Sequence, residues 1–326
     1  MKAAKYFLGC TAILAVFSGA LMAQSVISAK SGQINYTEGK VLLDGKEVHA
    51  TDGLFPQMKT NQQLVTQDSR AEMLLSPGVI LRAGEDSKVN LLSDRLEDTR
   101  VELVGGSIIV DDAVEVKGDS VTLVYEDAAI SLVKSGLYRL DSDPAQLRVY
   151  AGEATVAQGG QTVTVRKAQL LPLNGSLVAE KFDPKTGDAL LRWAQRRSEY
   201  VAMANPSTAQ AAGNSFMGGN SWLYNPYFGS FTFVPGSGVF YSPFGFSYWS
   251  PSQVGYYYNN VQAGFFSPGS GGYTSDRAYS SSSYAGLPSN SSGASTAAAV
   301  SSPGTATSSG SSAVGHSSGA AGGTHR

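Results

Sequence analysis

The chain has 326 residues, enough for one or two domains, with 24 Lys and Arg against 26 Asp and Glu and a formal net charge of −2. That balance excludes a nucleic-acid binder, which needs clustered cations to neutralise phosphates. One cysteine, Cys10, and three histidines, His49, His316 and His325, supply neither a zinc ligand set nor a Ser-His-Asp triad.

In chain order, Met1 to Lys5 is a short basic start, Tyr6 to Gly19 an apolar run, and Ala20-Leu21-Met22-Ala23, with Leu21 bulkier than the ideal −3 residue, leads to an expected cut before Gln24. This is the layout of a secretory signal peptide over residues 1–23, and it predicts export to the periplasm, cell surface or medium. If retained, the segment would be a short membrane anchor, the one membrane contact expected. Cys10 lies inside the apolar run and leaves with it, so disulfides, thiol catalysis and cysteine-metal sites are excluded from the mature chain.

Gln33 to Val48 contains two alternating runs around Glu38-Gly39-Lys40, and Asp44-Gly45 is a type I′ hairpin signal. From Thr66 to Val110 apolar residues recur at every second position: Ala71, Met73, Leu75, Val79, Leu81, Ala83, Val89, Leu91, Val101 and Leu103. Ser76-Pro77-Gly78, Gly84-Glu85-Asp86 and Gly105-Gly106 interrupt them, so the runs read as short strands with one buried face. The same pattern continues to Leu171. About a dozen short strands without a helical period predict an all-β domain over residues 25–180, either a β-helix-like stack or a sandwich. The repeat length varies, so periodicity leaves both open.

Residues 184–204 change character. Asp183-Pro184 or Thr186 can cap a helix, Asp188 suits its first turn, and Leu190, Trp193, Ala194, Val201 and Ala204 share one face. Arg197 breaks that stripe, and Asn205-Pro206 is expected to end the helix. Arg192, Arg196 and Arg197 read as a solvated face, with an anionic partner as the alternative. Residues 25–204 are expected to fold alone.

Residues 216–266 hold 18 aromatic residues in 51, with Pro and Gly too frequent for regular helix. Trp222, Tyr224, Tyr227, Tyr248 and Trp249 are the candidate binding surface, since exposed Tyr and Trp stack on sugar rings and anchor interfaces. The alternative is a small aromatic core folded back on the helix and β-domain. Residues 267–326 are mostly Ser, Gly and Ala and are expected to be disordered.

The Thr66–Val110 stretch resembles the FecR domain. Gln67-Asp68-Ser69-Arg70-Ala71-Glu72-Met73-Leu74-Leu75 is similar to its first signature strand, Ser76-Pro77-Gly78 to its turn, and Leu81 to Val89 and Arg100 to Ile108 to later rungs. Gly136 to Leu140 and Leu147 to Val156 resemble the closing elements, so the likeness covers about residues 30–173. Asp188 to Arg197 with Trp222 to Gly229 and Phe233-Val234-Pro235 is similar to the C-terminal part of secreted FecR-domain proteins. The resemblance implies a β-stack in a sensory or protein-interaction module of the envelope. These are packing and turn residues, so they imply a fold and no chemistry. Other members place a sigma-factor-binding segment before the apolar span. Here only Met1 to Lys5 precede it, so direct sigma-factor binding is not expected.

No catalytic residue, cofactor or metal site is expected. Asp111-Asp112 and Glu126-Asp127 could in principle form a glycosidase pair, but adjacent acids at strand ends read as solvated turn charges. Asp141, Asp143 and Asp183 lack calcium-loop spacing, and Gly105-Gly106 lacks the helix and Lys-Ser/Thr of a phosphate loop. His49 reads as a solvated loop residue. The expected partner is an envelope protein, or a glycan met by the aromatic segment; an acid-pair hydrolase ranks last.

Overall fold

The computed structural model describes residues 26–27, 30–50, 54–115, 118–213 and 218–255. Residues 1–23, expected to be a signal peptide, residues 256–266 of the aromatic segment and the tail 267–326 lie outside them.

The described residues form 22 strands and one long helix. β1 (Val26–Ile27), β2 (Gln33–Glu38), β3 (Val41–Leu43), β4 (Lys46–Val48), β5 (Gln63–Thr66), β6 (Arg70–Leu74), β7 (Val79–Ala83), β8 (Lys88–Arg95) and β9 (Asp98–Gly105) come first. β10 (Ser107–Asp112), β11 (Val121–Tyr125), β12 (Ala128–Leu132), β13 (Gly136–Ser142), β14 (Ala145–Ala151), β15 (Glu153–Gln158), β16 (Gln161–Arg166), β17 (Gln169–Pro172) and β18 (Glu180–Lys181) follow. After helix α1 (Ala189–Ala212) come β19 (Ser221–Asn225), β20 (Ser230–Val234), β21 (Val239–Tyr241) and β22 (Ser247–Trp249).

β2 to β18 build two facing sheets. The eight-stranded sheet runs β18-β17-β14-β13-β10-β7-β6-β2, and the nine-stranded sheet β16-β15-β12-β11-β9-β8-β5-β3-β4. The chain lays one to three strands in one sheet, crosses, and continues in the other, so both sheets grow in the same direction. The result is a double-ply sandwich with stack-like progression. Pairing is antiparallel except between β9 and β11, where the long crossing from β10 returns the chain parallel.

All ten alternating residues from Ala71 to Leu103 lie in the core between the sheets. The turns hold the expected chemistry. Asp44 and Gly45 both have positive φ, 49° and 75°, as a type I′ hairpin requires. In Ser76-Pro77-Gly78 the Val79 N–H donates to the Ser76 carbonyl at 2.8 Å. Gly106 (φ 85°) carries the crossing from β9 to β10, and a Cβ there would lie 2.5 Å from the Ser87 Cα.

The two sheets differ in one respect that the alternation did not reveal. Strands of the nine-stranded sheet alternate buried with half-buried or exposed, as β11 and β15 show. β7 is buried at every position, and β6, β10 and β13 nearly so. A third layer covers the outer face of the eight-stranded sheet. Trp222, Phe231, Phe233 and Tyr248 pack with Val201 and Ala202 of α1 on Leu74, Ile80, Ala113 and Val114. Leu190, Leu191, Trp193 and Ala194 pack on Ile109, Leu137 and Tyr150.

The helix also differs from its expected bounds of 184–204. Asp188 itself is the N-cap, its Oδ1 accepting the Leu191 N–H at 2.9 Å, and the helix passes through Pro206 to Gly213. Proline removes the helical bond to the Ala202 carbonyl, while the third layer anchors the helix through the carbonyls on either side of it. Thr232 Oγ1 donates to the Val201 carbonyl at 2.6 Å and Asn225 Nδ2 to the Ala204 carbonyl at 3.1 Å. Asn205, expected as a stop, is fully buried; it donates to the Phe233 carbonyl at 2.8 Å and accepts the Trp249 N–H at 2.7 Å.

The described residues fall within one compact unit, so the third layer belongs to the β-domain. A fragment ending at residue 204 should therefore bind a hydrophobic dye and melt below one ending at residue 255. Trp222→Ala in the full chain should cost about 3–5 kcal/mol in urea unfolding, as deletion of a large buried aromatic does.

Candidate functional site

Sheet geometry first decides what the charged residues can do. On β6 and β7 the even-numbered residues face α1, which places Glu72 and Arg82 beneath the helix, each fully buried. Glu72 Oε2 accepts from Arg82 Nε and Oε1 from Arg197 Nη2, both at 2.9 Å, and Asn35 Nδ2 donates to Oε1 at 2.8 Å. Arg82 Nη1 also reaches Asp111 Oδ2 at 2.9 Å. Burial opposes ionisation of Glu72, but Arg197 and Arg82 outweigh it and hold the carboxyl below its ordinary value. The Arg197 guanidinium lies 4.0 Å from the centre of the Tyr36 ring. Arg197 thus has an anionic partner inside the molecule, which corrects its reading as part of a solvated face. Arg192 and Arg196 are exposed as expected.

A second ion group fixes the start of the helix. Arg139 donates from Nε to Asp141 at 2.7 Å and from Nη1 to Asp188. Burial works against ionisation of Asp188, but the Leu191 N–H and Arg139 hold its pKa below the usual value.

The acid pairs separate. Asp111 and Asp112 are buried in β10, which corrects their reading as solvated turn charges. Successive strand residues point to opposite faces, so Asp111 meets Arg82 on the helix side while Asp112 faces the sandwich interior. A sheet stands between them, and they cannot flank one substrate bond. Asp112 lines an open cleft of about 290 Å³ with Ser76, Val79, Asp119, Val121 and Lys134. Burial pushes its carboxyl up to about 8; the Val114 N–H opposes this, and Asp111 and Glu115 add to it. Glu126 and Asp127 are exposed in the turn between β11 and β12, where turn charges belong. His49 is an exposed loop residue, its Nε2 3.2 Å from Glu47.

The five aromatic candidates do not form one surface. Trp222 and Tyr248 are core residues, 1% and 2% exposed. Tyr224 is half-buried against Phe55 and Phe231, and Trp249 is half-buried with its backbone held by Asn205. Only Tyr227, at 93% exposed, is free to touch a ligand. It sits on the β19–β20 turn beside Phe228, whose ring meets Tyr200. The fold-back of this segment had a visible sign in Met73-Leu74-Leu75, Val79-Ile80-Leu81 and Ile108-Ile109-Val110. Three apolar residues in succession mark strands buried on both faces.

The surface that remains is the outer face of the nine-stranded sheet. Lys88, Asn90, Arg100, Glu102, Val104 and Ser131 stand on it. Gln63, Asn90 and Glu102 form a ladder across three strands, with Gln63 Nε2 to Asn90 Oδ1 at 2.9 Å and Asn90 Nδ2 to Glu102 Oε2 at 2.7 Å. Such cross-strand bonds hold polar side chains in fixed positions. Val104, 48% exposed, adds an apolar contact beside them. Among the described residues no three His, Cys, Asp or Glu converge as a metal site, and no helix is long and apolar enough to cross a membrane.

No protein-family model matches the chain, and no curated protein does. Among solved structures it is similar to two crystal structures of a "putative anti-sigma factor" from Parabacteroides distasonis. Each shares 13% identity; they cover 37% and 40% of this chain, with TM-scores of 0.32 and 0.34. The chain spans 59% and 63% of their lengths. At this level the likeness carries no functional argument.

Two outcomes test this geometry. Glu72→Ala leaves Arg197 buried without its anion and Arg82 with Asp111 alone, and should cost about 3–5 kcal/mol in chemical denaturation. Asp112 keeps its proton in the fold to about pH 8 but loses it near 3.8 when unfolded. Stability from this group is therefore full below pH 4, declines between pH 4 and 8, and is level above. Asp112→Asn should remove that slope, raising the melting temperature at pH 8 by about 2–4 °C for each ~1 kcal/mol recovered, with little effect at pH 4.

Proposed function

We propose that the chain is an exported, non-enzymatic interaction module of the cell envelope, of the sensory kind that its FecR resemblance implies. One observation carries this reading. Among the described residues, the middle strands of the eight-stranded sheet are covered on both faces, while the nine-stranded sheet keeps an open face with an ordered polar ladder and an exposed valine. The strongly placed charges, Glu72, Arg82, Asp111, Arg139, Asp188 and Arg197, are engaged with one another in holding the third layer. Function by contact suits such a scaffold. A rigid sheet presents side chains at fixed spacing and needs no chemistry. The expected partner is a polypeptide of the envelope.

A glycan is the second reading, favoured by the exposure of Tyr227 at a turn with aromatic neighbours. Tyr227→Ala tests it without disturbing the core, whereas Trp222→Ala would report on folding. Loss of glycan-array binding with an unchanged melting temperature supports this reading, and absence of binding by the unaltered chain removes it.

For the principal reading, a photo-crosslinking residue is placed at Val104 or Ser131 in cells, with Arg192 as the exposed control. A discrete adduct from the two sheet positions and none from Arg192 is expected. Equal labelling from all three, or none, would argue against an open-face contact. Export is checked by N-terminal sequencing of the envelope or secreted fraction, with Gln24 expected first.

A further inference from the structure

The two large sheets have four ends, and three are blunted. β4 is three residues long and begins Lys46-Glu47. β18 has only two residues. β2 is bulged between Ile34 and Tyr36, bridged to Gln57 through Gln33, and tied to the third layer by Asn35, whose Oδ1 accepts the Phe231 N–H at 2.8 Å. Charge, shortness, bulges and covering are the usual protections of a sheet edge.

β16 lacks them over Gln161 to Val165; only its last residue is protected, by the charge of Arg166 and by Gln169 Oε1, which accepts the Arg166 N–H at 2.7 Å and must give way for pairing there. The strand is six residues long, lacks proline, and pairs with β15 in unbroken register from Glu153↔Arg166 to Gln158↔Gln161. Its sequence alternates Thr162 and Thr164 on one face with Val163 and Val165 on the other. Val165 is fully buried, and half-buried Val163 packs on the same core. Among the described residues no backbone group bonds to the free side of 161–165. The β17–β18 connection lies at the same end of the stack. Its Leu177 and Ala179 pack on the core while Val178 between them is 60% exposed.

We propose that β16 is a self-association edge, pairing antiparallel with β16 of a second copy about a two-fold axis through Thr164. Such an axis, normal to the sheet, sets Thr164 against itself, Val163 against Val165, and Thr162 against Arg166. Each pair joins residues of the same face, so the valines extend both cores. Arg166 faces a threonine rather than another arginine and keeps Glu153 of its own sheet at 3.1 Å. Centring the axis on Val163 would set Val165 against Gln161 and lose the apolar match. That self-complementarity is what an isologous interface requires. The product is one continuous sheet with nine strands from each copy. A single edge pair buries less than the ~800 Å² per partner of a standard interface, so the dimer is expected to be weak, with a Kd of about 10–100 µM. This deepens the reading of the chain as an interaction module by naming one partner. It fails separately, because the open-face adducts do not depend on β16.

The test is sedimentation equilibrium of the full chain up to about 1 mM, with two variants. The unaltered chain should dimerise with concentration. Thr164→Lys brings two ammonium groups together on the axis and should weaken the dimer about tenfold or more while leaving the melting temperature unchanged. Thr164→Cys in a Cys10→Ser chain should form a disulfide-linked dimer on mild oxidation. A chain monomeric at all concentrations overturns the proposal, as does a dimer that Thr164→Lys leaves intact. A monomer whose outward-facing Thr162 and Thr164 amides resist hydrogen exchange also overturns it, since another segment then occupies the edge.

Discussion

Glu72 is a carboxylate taken out of water and held by two guanidiniums from different layers, and the third layer depends on it. Apart from the Arg139–Asp141 pair, the outer face of the eight-stranded sheet carries two buried acids, Glu72 and Asp111, but one cation, Arg82. That face is one positive charge short until α1 supplies Arg197. An unpaired buried charge costs several kcal/mol, so only a helix position that delivers Arg197 to Glu72 is tolerated. Apolar contacts of Trp193, Val201 and Trp222 provide the attraction, while the ion group selects the register. The guanidiniums keep unsatisfied nitrogens, Arg82 Nη2 and Arg197 Nε, among protein groups, which fits a device for specificity better than one for maximal stability.

The same layer explains why the sheets serve different ends. One is interior on both sides, so its side chains are committed to packing. The other has one face in the core and one in solvent, so its outer residues are free to differ without cost to the fold. Asp112 marks where this division is least comfortable, an acid inside the sandwich that holds its proton through the neutral range.

Much of the β-architecture was legible because strand alternation has a fixed period. Ala71 through Leu103 could satisfy it in only one way, and Gly106 and Asp44-Gly45 marked where strands must turn. Alternation says nothing of what covers the opposite face, where Glu72 and Arg82 lie. The clues were local exceptions: consecutive apolar residues at Leu74, Ile80 and Ile109, and an arginine in the apolar stripe of a helix. Pro206 misled for a similar reason. Its usual helix-ending effect reflects a lost hydrogen bond, and Thr232 and Asn225, distant in sequence, anchor the helix through neighbouring carbonyls. The aromatic candidates were chosen by residue type, which cannot distinguish Trp222 in the core from Tyr227 outside.

Asn35 gives this arrangement a direction in time. Its amide on the first strand of the eight-stranded sheet exchanges hydrogen bonds with Phe231, 196 residues later. Most other pairings join strands close in the chain, so the stack can assemble as the polypeptide emerges. The outer face of the eight-stranded sheet, with Glu72, Leu74 and Ile80, must then wait bare until the last hairpin arrives. During that interval it is the exposed surface most in need of a chaperone's shelter.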